Sequence, residues 1–66
     1  MGHELSLALA LLESAGAAIP AGSRVMSLKV VVGALSGADP RALTRAWEVV
    51  ARGTLLEGAR LDIDEV

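Results

Sequence analysis

Trp47 is the one aromatic residue of a 66-residue chain that has no cysteine, and this pair of facts constrains the fold more than anything else in the sequence. Without cystines or thiolate-bound metal to staple it, a chain this short has to hold itself together by apolar burial, at a size where the buried fraction of surface is low. That core must be assembled from Leu, Val, Ala and Ile around a single indole. More than half of the residues are apolar, a globular composition and not a disordered one. The length predicts one domain covering residues 1–66.

Periodicity predicts two helices and two strands. From about Glu4 to Ala15, Leu5, Ala8, Leu9 and Leu12 fall at i, i+3, i+4 and i+7, one helical face, which Leu7 and Leu11 widen. Ser6, Glu13 and Ser14 leave only a narrow wet sector, so this helix is expected to touch more than one neighbour. Gly16, Pro20 and Gly22 break the pattern. From Arg24 to Gly33, Met26, Leu28, Val30 and Val32 alternate against Ser27 and Lys29 in a β-branched run, which reads as a strand. The second helix has signals at both ends: Asp39 suits the N-cap, Pro40 the first helical position and Gly53 the residue after the last turn. Its core stripe is Leu43, Ala46, Trp47 and Val50, with Arg41, Arg45, Glu48 and Arg52 on the solvated side. After Gly58, Leu61 and Ile63 alternate with Arg60, Asp62 and Asp64 in a last strand.

The order helix, strand, helix, strand defines the expected fold class: α/β, a two-layer α+β sandwich-like domain with two helices on a small mixed sheet. A strand, helix, strand unit of this length favours a parallel pair joined by a right-handed crossover, which would set Lys29 opposite Asp62 or Asp64. Two strands leave open edges, and a domain of this size has little reserve to leave them wet. A homo-oligomer paired through Val25 to Val32 or Arg60 to Asp64, or packed on Leu7 and Leu11, is therefore expected.

A formal charge of −2 supplies no basic field for nucleic acid. The apolar run Leu5 to Leu12 is too short for a membrane span and lacks the basic start of a signal peptide. A cytoplasmic protein with no membrane association is the expectation. Met1, Gly2 and Ser6 also fit the N-myristoylation pattern, a rival use of the terminus, and a Gly after the initiating Met is a common trace of cloning.

His3 is the lone histidine, two residues from the amino terminus. A terminal amine, the amide nitrogens behind it and an imidazole can close fused chelate rings around one divalent transition metal, and nickel(II) and copper(II) have the tetragonal preference for such a set. The competing reading is a solvated terminal residue. Glu4 stands either in the metal site or in the first turn of the helix, where a carboxylate favours the dipole. Asp39 is a tentative extra oxygen ligand whose N-cap role explains it without metal. Gly33 and Gly37 flank a turn too short and too unlike a phosphate loop for nucleotide binding, and Ser36 has no histidine nearby in sequence to activate it. With one histidine and scattered carboxylates, an enzyme is the weakest class.

His3-Glu4-Leu5-Ser6, the turn Val32-Gly33-Ala34-Leu35-Ser36-Gly37, the Asp39-Pro40 helix start, Gly53-Thr54 and the closing Glu57-Gly58-Ala59-Arg60-Leu61-Asp62-Ile63 come in one order. That order resembles the HypA/HybF nickel metallochaperones over essentially the whole chain. The resemblance implies an α/β nickel domain of two helices and a mixed sheet, and delivery of nickel for nickel-iron hydrogenase maturation. It also implies work alongside a maturation GTPase and the hydrogenase large subunit. His3 and Glu4 match the family's nickel-binding start, with nitrogen ligands from the terminal backbone and the imidazole.

Two features depart from the family pattern. Family members typically begin Met-His-Glu, so Gly2 is an added residue. If Met1 is removed, Gly2 becomes terminal and His3 regains the second position; if Met1 stays, its amine, two amides and the imidazole close a four-nitrogen square. The family also carries a zinc ribbon of two Cys-x-x-Cys pairs, then a last strand that rejoins the sheet. This chain resembles the nickel domain alone, and no zinc is expected in it. The alternative to nickel binding is a metal-free protein-interaction module using an exposed strand edge and the leucine-rich helix.

Overall fold

The computed structural model describes residues 3–66, so Met1 and Gly2 lie outside the described residues. Helix α1 spans Glu4–Ala18, strand β1 Ser27–Val32, helix α2 Pro40–Val50 and strand β2 Arg60–Glu65, with a single 3-10 turn at Ala34–Ser36 between β1 and α2. The helix-strand-helix-strand order is the predicted one. The strands pair in parallel, with Leu28 opposite Leu61, Lys29 opposite Asp62 and Val30 opposite Ile63. Among the described residues the sheet is this parallel pair alone.

The register sorts the faces. Leu28, Val30, Val32, Leu61 and Ile63 pack toward the core, while Ser27, Lys29, Arg60, Asp62 and Asp64 are exposed, as period-two alternation requires. Parallel sheets are ordinarily covered on both faces; this one keeps a polar outer face, with Val31 the apolar exception at 63 % exposed. Strand β1 is shorter than the predicted Arg24 to Gly33 because its partner is only six residues long. The ladder is bounded by Arg60 N donating to Met26 O and Val66 N donating to Val32 O, both at 2.9 Å, so Arg24 and Val25 have nothing to pair with.

Helix α2 follows its sequence signals. Asp39 Oδ1 accepts from Arg41 N at 3.0 Å and Pro40 opens the helix. Leu43 and Trp47 are buried one turn apart, with Ala46 and Val50 beside them, and the four charged residues of the opposite face are exposed. The indole finds its hydrogen-bond acceptor across the core, Nε1 donating to Ala59 O at 2.9 Å.

Two regions depart from expectation. The segment between α2 and β2 supplies core residues Ala51, Leu56 and Ala59, where only turn signals had been read. Tight turns make this possible: Thr54 Oγ1 donates to Ala51 O and accepts from Leu56 N, while Gly53 and Gly58 take positive φ angles of 73° and 84° that a side chain would strain. Helix α1 runs through Gly16 to Ala18, past the predicted Ala15, and its buried side is the predicted face shifted toward Leu7 and Leu11 and away from Leu5 and Leu9. Ala8 is fully buried and Leu7, Leu11, Leu12 and Ala15 pack against the core, whereas Leu5 and Leu9 are 55 % and 47 % exposed. A helix that is apolar nearly all round carries no preferred face of its own. Its rotation is set by where the small Ala8 meets α2 and by Glu4.

Candidate functional site

The site is built at the starts of the two helices. His3 is the N-cap residue of α1, with φ −107° and ψ 20°, and its side chain makes no capping bond to its own helix. Its carbonyl accepts from Leu7 N at 3.0 Å, which is how the chain enters the first turn. The imidazole stands exposed at the mouth of a shallow cleft walled by Leu7 and Leu11 of α1, Val30, Val31 and Val32 of β1, and Gly33, Ser36 and Leu43 beyond them. At ≈ 270 Å³ the cleft falls below the roughly 300–1,000 Å³ of small-molecule sites.

Glu4 is buried at 9 % exposure. Its Oε2 accepts from the Asp39 amide at 3.0 Å, so the first residue of α1 sits on the cap of α2. That hydrogen bond, then one from the Glu4 amide, holds the carboxyl below its ordinary range; burial opposes this and the charge of His3 adds to it. Glu4 does stand in the first turn of its helix, but its nearest hydrogen-bonding commitment is to the other helix. Asp39 is the N-cap of α2 as predicted, its Oδ1 spent on Arg41 N. The structure thus brings His3, Glu4 and Asp39 into one neighbourhood, with both carboxylates in use on backbone amides.

Among the described residues no three His, Asp or Glu side chains group as a metal cage. The terminal nitrogens called from sequence, those of Met1 and Gly2, lie outside the described residues. Ser36 lines the same cleft as His3, which sequence distance concealed, but its Oγ is engaged by Ala38 N at 3.3 Å. The larger grooves lie elsewhere: one runs between α2 and β2, where Arg41, Arg45 and Glu48 overlook Leu61 and Ile63.

The tie between Glu4 and Asp39 is what sequence reasoning missed, although a signal for it exists. In a local capping box the N3 residue reaches back to the N-cap amide, and N3 of α2 is Ala42, which cannot. An N-cap amide with no local acceptor calls for one from elsewhere in the chain.

Fold and site together define a small two-layer α/β domain that presents one exposed histidine, with its main-chain neighbours, at the start of its first helix. A family model described as hydrogenase/urease nickel incorporation, metallochaperone, hypA matches residues 1–66, and the chain belongs to that family. The hydrogenase maturation factor HypA of Chlorobium limicola is 38% identical over 66 residues, spanning 97% of this chain and 57% of that protein. Its namesake from a Roseiflexus species is 48% identical over 66 residues, spanning 97% and 54%. The chain thus spans little more than half the length of these relatives. No helix among the described residues is long and apolar enough to cross a membrane.

Proposed function

We propose that this chain is the nickel-binding unit of a hydrogenase maturation metallochaperone. One Ni(II) per chain is taken by the His3 imidazole and main-chain nitrogens of the amino-terminal residues Met1, Gly2 and His3, for delivery to a nickel-iron hydrogenase. Nickel is cargo here, not a resident cofactor. The observation that carries this is the exposed His3 at the head of α1, whose imidazole is not spent on capping its own helix. Family membership supports nickel as the ion. Glu4 and Asp39 stand beside this terminus, and Asp39 is the candidate for an added oxygen donor. Partners on the same reading are a maturation GTPase and the hydrogenase large subunit, in the cytoplasm.

The terminal amine anchors the first chelate ring, so acylation of Gly2 would abolish the site. Protons compete with metal for these nitrogens, so binding weakens as pH falls. Isothermal titration of the untagged chain with nickel tests the proposal: His3→Ala is expected to lose the one-to-one site, and a His3→Ala protein that binds as the parent does overturns it. The same titration separates the alternative, a metal-free and self-associating interaction module that uses the strand edges and the exposed Leu5 and Leu9, because such a module takes up no nickel.

A further inference from the structure

We infer that Glu4 is a positioning residue for the terminal site, serving as the missing N3 acceptor of α2 and thereby fixing where α1, and His3 with it, begins. This rests on the nickel reading for its functional meaning, but its geometry stands without metal. Asp39 is the N-cap of α2 and its own side chain satisfies Arg41 N at 3.0 Å. The next orphan donor is the Asp39 amide. In a cis capping box a Glu at N3 would take it; Ala42 occupies that position, and Glu4 Oε2 takes it at 3.0 Å from 35 residues away.

The consequence for His3 follows from what else holds the head of α1. Among the described residues this is the one side-chain hydrogen bond that joins α1 to the rest of the chain, and the apolar holds nearest to it are Leu7 and Ala8, about one turn further on. His3 is exposed and its side chain grips nothing on its own helix. The imidazole's place relative to the cleft is therefore inherited from its neighbour. If Glu4 turned its Oε2 to metal instead, the Asp39 amide would lose its acceptor at a part-buried position, and an unsatisfied donor there is costly. Glu4→Gln, which keeps the acceptor for the Asp39 amide but removes the carboxylate charge, therefore separates positioning from ligation.

Four proteins test this: the parent, Glu4→Gln, Glu4→Ala, and Glu4→Ala combined with Ala42→Glu. Each is read by thermal melting, by the NMR shifts of the His3 ring protons without metal, and by nickel titration. Glu4→Gln keeps a carbonyl acceptor and is expected to keep the parent His3 shifts, with nickel affinity within about threefold, whereas Glu4→Ala moves those shifts and weakens nickel on the order of tenfold, as expected for loss of one charge-assisted hydrogen bond. In the double variant the new N3 carboxylate caps α2 in cis, so melting recovers while the His3 shifts and nickel affinity stay as in Glu4→Ala.

Recovery of nickel affinity together with melting in the double variant would reduce Glu4 to a stabiliser of α2 and overturn the proposal. Loss of nickel in Glu4→Gln as deep as in Glu4→Ala would make the carboxylate a ligand and overturn it as well. Should the parent bind no nickel, or His3→Ala bind equally, the nickel reading falls, and the metal-free shifts and melting still decide whether Glu4 positions His3.

Discussion

Helices α1 and α2 pack against each other and are specified in opposite ways. Helix α2 states its start and its inner face locally: Asp39 and Pro40 at the start, Leu43 and Trp47 one turn apart inside, arginines outside. Helix α1 starts on a residue that does not cap it and is apolar on most of its circumference. Its rotation comes from its packing against α2, the Glu4 bond to Asp39 included, which leaves Ala8 fully buried. A helix with local signals is damaged chiefly by removing them or the acceptor that Glu4 lends to its cap, whereas one placed by contacts is sensitive to anything that alters the spacing between the two.

The largest effect is expected at the core of the self-specified helix. Trp47→Ala removes the largest buried side chain and the Nε1 bond to Ala59 O; a loss of about 3–5 kcal/mol is comparable with the whole stability of a domain this size at roughly 0.1 kcal/mol per residue. Circular dichroism should show a melt far below that of the parent, and a cooperative melt near that of the parent would contradict the placement of the core.

The placed helix is expected to break by crowding. Ala8→Leu inserts volume where α1 and α2 meet, at a site with 0 % exposure, and should cost about 1–3 kcal/mol. Leu9→Ser, one residue along on the exposed flank, should change stability by less than about 0.5 kcal/mol. Urea unfolding of the two variants sharpens the comparison, and a loss in Leu9→Ser as large as that in Ala8→Leu would mean that Leu9 is buried beside Ala8, as periodicity predicts.

The smallest effect concerns acid. The Glu4 carboxyl is held below its ordinary value of 4.5 in the folded chain, so the stability it contributes is complete above that value and is lost as pH falls through the depressed folded one. The gap in melting temperature between the parent and Glu4→Gln should therefore shrink from about pH 7 to about pH 3. A gap that does not change with pH would show that the carboxylate gains nothing on folding.

Much of this architecture was legible in the residues. The alternation of Leu28, Val30 and Val32, matched by Leu61 and Ile63, dictated two strands with one inner face, whereas the register stayed open between Asp62 and Asp64 opposite Lys29 until the structure set Asp62 there. Hydrophobic alternation and caps act between near neighbours, and a sequence displays near neighbours. His3 could be singled out because it is the sole histidine of the chain. The cleft beside it could not, since it is assembled from α1, the end of β1 and the 3-10 turn that follows.

The sequence by itself determined the element order, the start of α2, the inner and outer faces of both strands, and the aliphatic core around Trp47, because each rests on spacing within one element; α2 ends at Val50, short of the Gly53 signal. Only the tertiary structure decided which side of α1 is buried, that Leu56 and Ala59 join the core, and that Glu4 serves the cap of the other helix. A helix without a polar face has near-equal rotations until a partner surface distinguishes them, and the orphan amide of Asp39 finds its acceptor only once the chain has brought residue 4 to residue 39.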